Sequence, residues 1–424
     1  MSPDMLLMVT YACIVGALIG SFSGLIPGIH VNTLAAIILA FHEVLENILM
    51  CIVPKDLSTM MMVCCVMSAA VVHSATDFVP SVFFGVPDPD NVMNIMPGHS
   101  MLLEGHGMMA IRCAAIGSLV GSFTSIALAI PMFHLLSSGL GDYLDSLTIG
   151  ILLAILSMMI LKERKGRRIL ALILIMISGA IGCVMMTVEI PFTNAFGMEP
   201  ESMFPMLSGF FGIPALLLSS PSGNIPEQTD DEKYPIGPIP GLKGVLTGSI
   251  IGWFPGVTSS CGASVAGSIF GNEDRRGYVA MVSSIGTSAT MFTLVALAVS
   301  GNERSGTMTV INEILGGNGI VPGNDLFLAM MIAMALASVM AYAIMVCAGT
   351  VMCRMVEIID IDLLNKVVLT SMLILTILFT GYWGTILLLL CALIGLIPVI
   401  LDTNRIHLTG CLMIPVLLFK LGFM

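Results

Sequence analysis

The chain has 424 residues, 57% of them hydrophobic and only 10% charged, where ordinary soluble domains carry about 25% charged residues. Apolar runs free of charge recur along its whole length, which excludes a soluble enzyme or binding domain and makes lipid the solvent for most of the surface. The net charge of −11 says little about partners when so much of the surface faces lipid; no nucleic-acid partner is expected of such a chain.

The N-terminus carries Asp4 and no Lys or Arg before its first apolar run, so it does not read as a cleavable signal. That run is interrupted at 24–33, "GLIPGIHVNT", where Pro27 and Gly28 should stop a helix at membrane depth. Apolar runs then follow at 58–76, 113–133, 146–161, 169–188, 204–220, 277–300, 326–350, 367–382, 384–401 and 408–419. The longer of these approach the roughly 20 residues that cross a bilayer. The expected fold is all-α: a polytopic helical membrane protein with about ten spans and two Pro-Gly-interrupted segments.

The second interrupted segment emerges from a search for repeats. Residues 16–28, "GALIGSFSGLIPG", match residues 244–256, "GVLTGSIIGWFPG". Gly16, Gly20, Ser21, Gly24, Pro27 and Gly28 fall on Gly244, Gly248, Ser249, Gly252, Pro255 and Gly256. A further echo follows in each half, "SATDF" at 74–78 and "SATMF" at 288–292, which sets Met291 opposite Asp77. The chain therefore divides into a first half at 1–220, a linker at 221–240 and a second half at 241–424. Glycines four apart first of all let helices approach closely. Packing alone does not explain a Pro-Gly pair repeated at the same place, and paired breaks in two halves point to a transporter binding site.

Lys and Arg set the orientation. The turn "KERKGRR" at 162–168 is expected on the cytoplasmic side, whereas 134–145 and 189–203 contain no basic residue. Lys233 and Lys243 precede the second interrupted segment, and Arg275 and Arg276 follow it. If both flanks are cytoplasmic, the segment is re-entrant. Five spans separate the two segments, so the halves are then inverted repeats. The expected arrangement is two inverted repeats, with 4–41 a similar hairpin on the opposite face; full crossing of both segments would instead make the halves parallel.

The paired signature, the span count and "PGHSMLLEGHG" at 97–107 resemble the large permease subunit of the tripartite tricarboxylate transporters (the TctA type). "PDPDN" at 87–91 looks like an archaeal-type branch. The chain is shorter than usual members, and it carries "SSIGTSATMF" at 283–292 and "LAVSGNERSG" at 297–306 where they carry other motifs. The resemblance implies an ion-driven secondary carrier for carboxylates, assisted by a small membrane subunit and an extracytoplasmic binding protein.

A helix starting just after Pro-Gly presents unpaired N–H groups and the positive end of its dipole. Gly28, Asn32 and Thr33, and Gly256, Thr258, Ser259 and Ser260, are the candidate residues for holding a carboxylate there. The hydroxyls are equally suited to capping the helices. Asp77, inside a long apolar run, is the candidate coupling residue with Ser74 and Thr76, for Na⁺ or a proton. His30 and His73 read as neutral hydrogen-bonded side chains. Arg112 and Arg304 flank the polar tips after the two echoes; either could meet substrate, but a solvated helix end that fixes orientation is the expected role. Eleven cysteines without a C-x-x-C pair and 35 methionines read as apolar filler, so no metal site and no cofactor beyond a coupling ion is expected. The spans supply no continuous polar lining or charged ring for a channel, and no catalytic motif for an intramembrane enzyme. The alternative to a carboxylate carrier is a channel-like or non-carboxylate anion permease.

Overall fold

The computed structural model describes residues 2–26, 38–39, 41–84, 95–188, 202–218, 226–229, 236–271, 273–301, 303–317, 319–356 and 361–424. Among them there is no strand. In chain order the helices are α1 (Pro3–Leu25), α2 (His42–Met50), α3 (Lys55–Thr76), α4 (Phe78–Phe84), α5 (Ile95–Leu103) and α6 (Gly107–Leu135). Next come α7 (Gly141–Lys162), α8 (Arg168–Thr187), α9 (Met203–Leu207), α10 (Ile213–Leu218), α11 (Ile239–Ile251) and α12 (Ser259–Ile269). The chain ends with α13 (Arg275–Ser300), α14 (Gly306–Ile314), α15 (Asp325–Val356), α16 (Ile361–Ile400) and α17 (Gly410–Lys420).

Seven helical stretches among the described residues are long and apolar enough to cross a membrane, so this is a multi-pass membrane protein. Two of the seven are broken by a glycine in the left-handed region, which a residue with a Cβ rarely enters. Gly139, at φ +106°, separates α6 from α7, and Gly381, at φ +64°, divides α16. The first break falls between the runs at 113–133 and 146–161, and the second at the end of the run at 367–382. The runs at 204–220 and 408–419 prove to be short helices, α9–α10 and α17.

Glycines bring the helices together. Gly16, Gly20 and Gly24 of α1 lie against the backbone carbonyls of Cys65, Ala69 and His73 on α3, each 49 positions further on. Gly244, Gly248 and Gly252 of α11 lie against those of Met281, Ile285 and Ala289 on α13, each 37 positions further on. A constant separation means that each pair runs parallel, one helical turn per step. Hydroxyls fasten both seams: Ser68 Oγ donates to the Cys13 carbonyl, and Ser284 Oγ to the Gly241 carbonyl, both at 2.7 Å. These packing positions match under the glycine repeat, but they set Thr293, not Met291, opposite Asp77. The two pentapeptides lie two residues out of packing register, because only the glycine face is constrained by close approach.

Because α11 and α13 are parallel, the chain between them must double back. It does so within residues 252–274: Lys243, near the start of α11, is ion-paired with Glu273 and lies 5.8 Å from the Phe270 ring centroid. The segment is a helical hairpin. Its first arm of 13 residues rises about 20 Å, less than the roughly 30 Å of hydrocarbon. The first segment also returns, since Leu49 packs with Met5, Met8 and Leu57 around Val9, Cys13 and Met60, at the starts of α1 and α3.

The start of α15, at Leu326, Ala329 and Ala333, joins that same cluster. Its far end meets the start of α6, where Gly349 touches Ile111 and Thr350 Oγ1 lies 3.9 Å from Met108 Sδ. Gly117 and Gly121 of α6 lie against Ala280 and Ser284 of α13, so α6 and α13 run the same way. Helices α1, α3 and α15 thus point one way, and α6, α11 and α13 the other.

Candidate functional site

The second break shows how a proline and a glycine end a helix inside protein. Gly252 caps α11, and Trp253 and Phe254 bury themselves ahead of Pro255. Gly256 turns through φ +76°, and the Leu412 carbonyl oxygen lies 2.8 Å from where a Cβ would stand. Gly256 therefore serves close approach of the turn to α17. Thr258 is extended (φ −81°, ψ 161°) and accepts from the Cys261 N–H at 3.3 Å, the geometry of an N-cap. Thr258 and Ser259 are buried, and Ser260 is the second residue of α12. The first-turn amides of α12, with the positive end of its dipole, face the break.

At the first break, α1 stops at Leu25 and Ile26 turns extended (φ −97°, ψ 113°), as expected of a residue that precedes proline. Gly28, Asn32 and Thr33, with His30, lie outside the described residues. What the structure does place beside this break is the coupling candidate. Asp77 caps α3, buried within the span Lys55–Phe83. A Cβ on Gly24, two residues before Ile26, would lie 3.2 Å from the Asp77 amide nitrogen. Thr76 Oγ1 donates to the Val72 carbonyl at 2.8 Å, and Ser81 Oγ to the Asp77 carbonyl at 2.9 Å. Ser74 is half-buried. His73 is the hydrogen-bonded side chain expected, with Nδ1 2.8 Å from Ser23 Oγ at the end of α1.

One residue departs from its sequence reading. Arg304, expected as a solvated helix end, has a side chain only 3% exposed. Its Nη2 donates to Asp145 Oδ1 of α7 at 2.7 Å, and its guanidinium carbon lies 5.3 Å from the centroid of the Trp253 ring. The reason is the hairpin: α11 carries Trp253 to the tip, where its aromatic face receives the cation. No motif marks the triad, because its members are scattered over 145–304.

The opposite end of the bundle is basic. Lys162 Nζ donates to the Ser264 carbonyl at 2.6 Å, which brings the 162–168 turn to the side where α12 returns. There Arg275 pairs with Glu104 at 2.5 Å, and a cavity of about 470 Å³ opens between Met101, Glu104, His106, Met109 and residues 274–276. The "EGHG" turn beside it is strapped by residues 226–229. Gln228 Oε1 accepts from the Gly107 N–H at 2.9 Å, and the Thr229 N–H donates to the Gly105 carbonyl at 2.8 Å.

The model of the tripartite tricarboxylate transporter TctA family matches residues 11–410. The chain is similar to an uncharacterized protein of Methanocaldococcus jannaschii, 25% identical over 312 residues, which cover 72% of each chain. No solved structure matches it.

Proposed function

This chain belongs to the tripartite tricarboxylate transporter TctA family, a family of membrane transport subunits and not of enzymes; from that premise we propose that it is an ion-gradient-driven secondary transporter of small carboxylates. The observation that carries the reading is the pair of breaks. Each ends a helix locked by three glycines to a parallel neighbour, and the two pairs point in opposite directions. Such pairs are the mark of inverted repeats that alternate access around a site near the bilayer midplane.

In this reading the halves at 1–220 and 241–424 are inverted repeats joined by the 221–240 linker. The basic end, with 162–168 and Arg275–Arg276, faces the cytoplasm. The carboxylate rests on the amides and hydroxyls that open the returning arms: Thr258, Ser259 and Ser260 after Gly256, and Asn32 and Thr33 after Gly28. These are neutral donors aided by a helix dipole, so they hold an anion without a deeply buried counter-charge. Asp77, set beside the first break, with Ser74 and Thr76, binds the coupling Na⁺ or proton. A small membrane subunit and an extracytoplasmic binding protein complete the transporter, as in the family.

Solute counterflow tests the proposal. Proteoliposomes preloaded with an unlabelled carboxylate and diluted into traces of labelled carboxylate should take up label transiently above its outside concentration. A pore lets the label equilibrate without overshoot, and that outcome would replace the carrier with the channel-like alternative.

A further inference from the structure

Arg304 and Trp253 share a feature that their contact does not explain. Both carry an N–H that is buried and finds no acceptor among the described residues: Nε of the guanidinium and Nε1 of the indole. A buried donor left unpaired costs free energy comparable to a lost hydrogen bond, and such a group in a native structure calls for a missing acceptor, whether water or an ion. Here two such donors belong to side chains packed on one another at 5.3 Å. Neither can act as an acceptor in its normal protonation state. One of them is a cation whose only ion pair among the described residues is with Asp145, itself 24% exposed. The cluster is thus donor-rich and enclosed on the Arg304 side, and it opens to solvent past Asp145.

We propose that Arg304 and Trp253 form a carboxylate-binding site at the tip of the second hairpin, at the end of the bundle opposite the basic turns. A carboxylate offers two oxygens with lone pairs in one plane, the complement of a guanidinium edge. One oxygen takes Arg304 Nε–H and the other takes the indole N–H. Asp145 holds the guanidinium in place while the site is empty and competes with the incoming anion for it. Because Trp253 lies three residues before Gly256, an anion bound here stands at the mouth of the break whose far side opens α12. The inference rests on the carboxylate reading only for the choice of ligand. It adds a cationic site where that reading used neutral donors alone.

Trp253 reports on the site directly, since the chain has two tryptophans and Trp383 lies exposed on α16. In W383F, reconstituted in nanodiscs, citrate and malate should change the Trp253 emission saturably, while sodium chloride at equal ionic strength should not. R304Q should abolish the response. D145N should tighten the apparent affinity by about tenfold, because the competing internal carboxylate is gone. If R304Q fails to insert, D145N decides the matter: affinity that is unchanged or weakened overturns the site. So does a flat titration of W383F, which means that water alone satisfies the two donors. A flat titration with counterflow intact removes this site and leaves the transport reading standing. A saturable response without counterflow supports the site and removes the transport reading.

Discussion

Ser284 Oγ donates to the backbone carbonyl of Gly241 at 2.7 Å, the same bond that Ser68 makes to Cys13 in the other half. Each bond spans a seam already closed by glycines, so the backbone carbonyl it satisfies sits in contact with the neighbouring helix. Ser68→Ala and Ser284→Ala should therefore destabilise the protein similarly, by about 1 kcal/mol each. Gly20→Leu and Gly248→Leu should be far worse. At Gly20 the side chain would meet the Ala69 backbone, which cannot swing aside. Thermal unfolding of purified protein compares the two serine variants, and yield of monodisperse protein reads the two leucine variants. A serine pair that differs by more than about 2 kcal/mol would break the equivalence of the seams.

The hairpin makes a topological prediction. In a background with the exposed Cys51 and Cys347 replaced by serine, a cysteine at 143 should react with an impermeant maleimide applied from outside. Cysteines at 165 and 275 should react only after the membrane is opened. Outside labelling at 275 with protection at 165 would mean that the segment between α11 and α13 crosses fully.

The spans, their order and the two interruptions were legible in the sequence, because hydrophobic length and Pro-Gly breaks are local signals. The return of the second hairpin was legible only as one of two alternatives, through the basic residues Lys243 and Arg275 that flank it. Three things were not. The packing register between the halves shifts by two residues relative to the "SATDF" and "SATMF" echo, and only backbone contact at glycine reveals it. Gly256, read as room for an anion, is also required by φ +76° and by the Leu412 carbonyl, contacts made by residues more than 150 positions away. Arg304 read as solvated because its neighbours "GNERSG" are polar; its burial depends on a tryptophan that the hairpin brings to it from position 253.

Acid should loosen the basic end. His407 is 1% exposed, and its Nε2 lies 3.0 Å from Glu163 Oε2. Burial pushes His407 below its ordinary value of 6.5, outweighing its hydrogen bond to Glu163. Burial would raise Glu163, but hydrogen bonds from His407 and from the Asn404 and Arg164 amides carry it below its ordinary value of 4.5. His407 is thus a neutral donor to an ionised carboxylate. Both groups are depressed in the folded state, so both contribute stability above their ordinary values that is lost as pH falls through the folded ones. The melting temperature should decline as pH drops below about 6.5, through His407 first and Glu163 later. His407→Gln keeps an N–H donor without the titration, so it should flatten the upper part of that decline. An identical pH profile in this variant would place the sensitivity elsewhere.

Asp77 is the only acid beside the first break among the described residues. Its packing counterpart, Thr293, is uncharged, so the seam itself needs no carboxylate. Asp77→Asn retains size and hydrogen bonding and removes the charge. It should reduce ion-driven accumulation at least about tenfold, while counterflow in the same vesicles persists. Unchanged ion dependence of uptake would move the coupling site away from Asp77.

A carrier of the proposed kind uses an ion gradient to concentrate carboxylates. The direct measurement is uptake of labelled citrate, malate and succinate into proteoliposomes under an imposed inward Na⁺ or proton gradient. Wherever the mature transporter requires a binding protein or small subunit, that component is added. At least one of these anions should accumulate saturably above its outside concentration, and the accumulation should collapse when an ionophore dissipates the gradient. Uptake of all three that never exceeds equilibration, with or without the gradient, would contradict it.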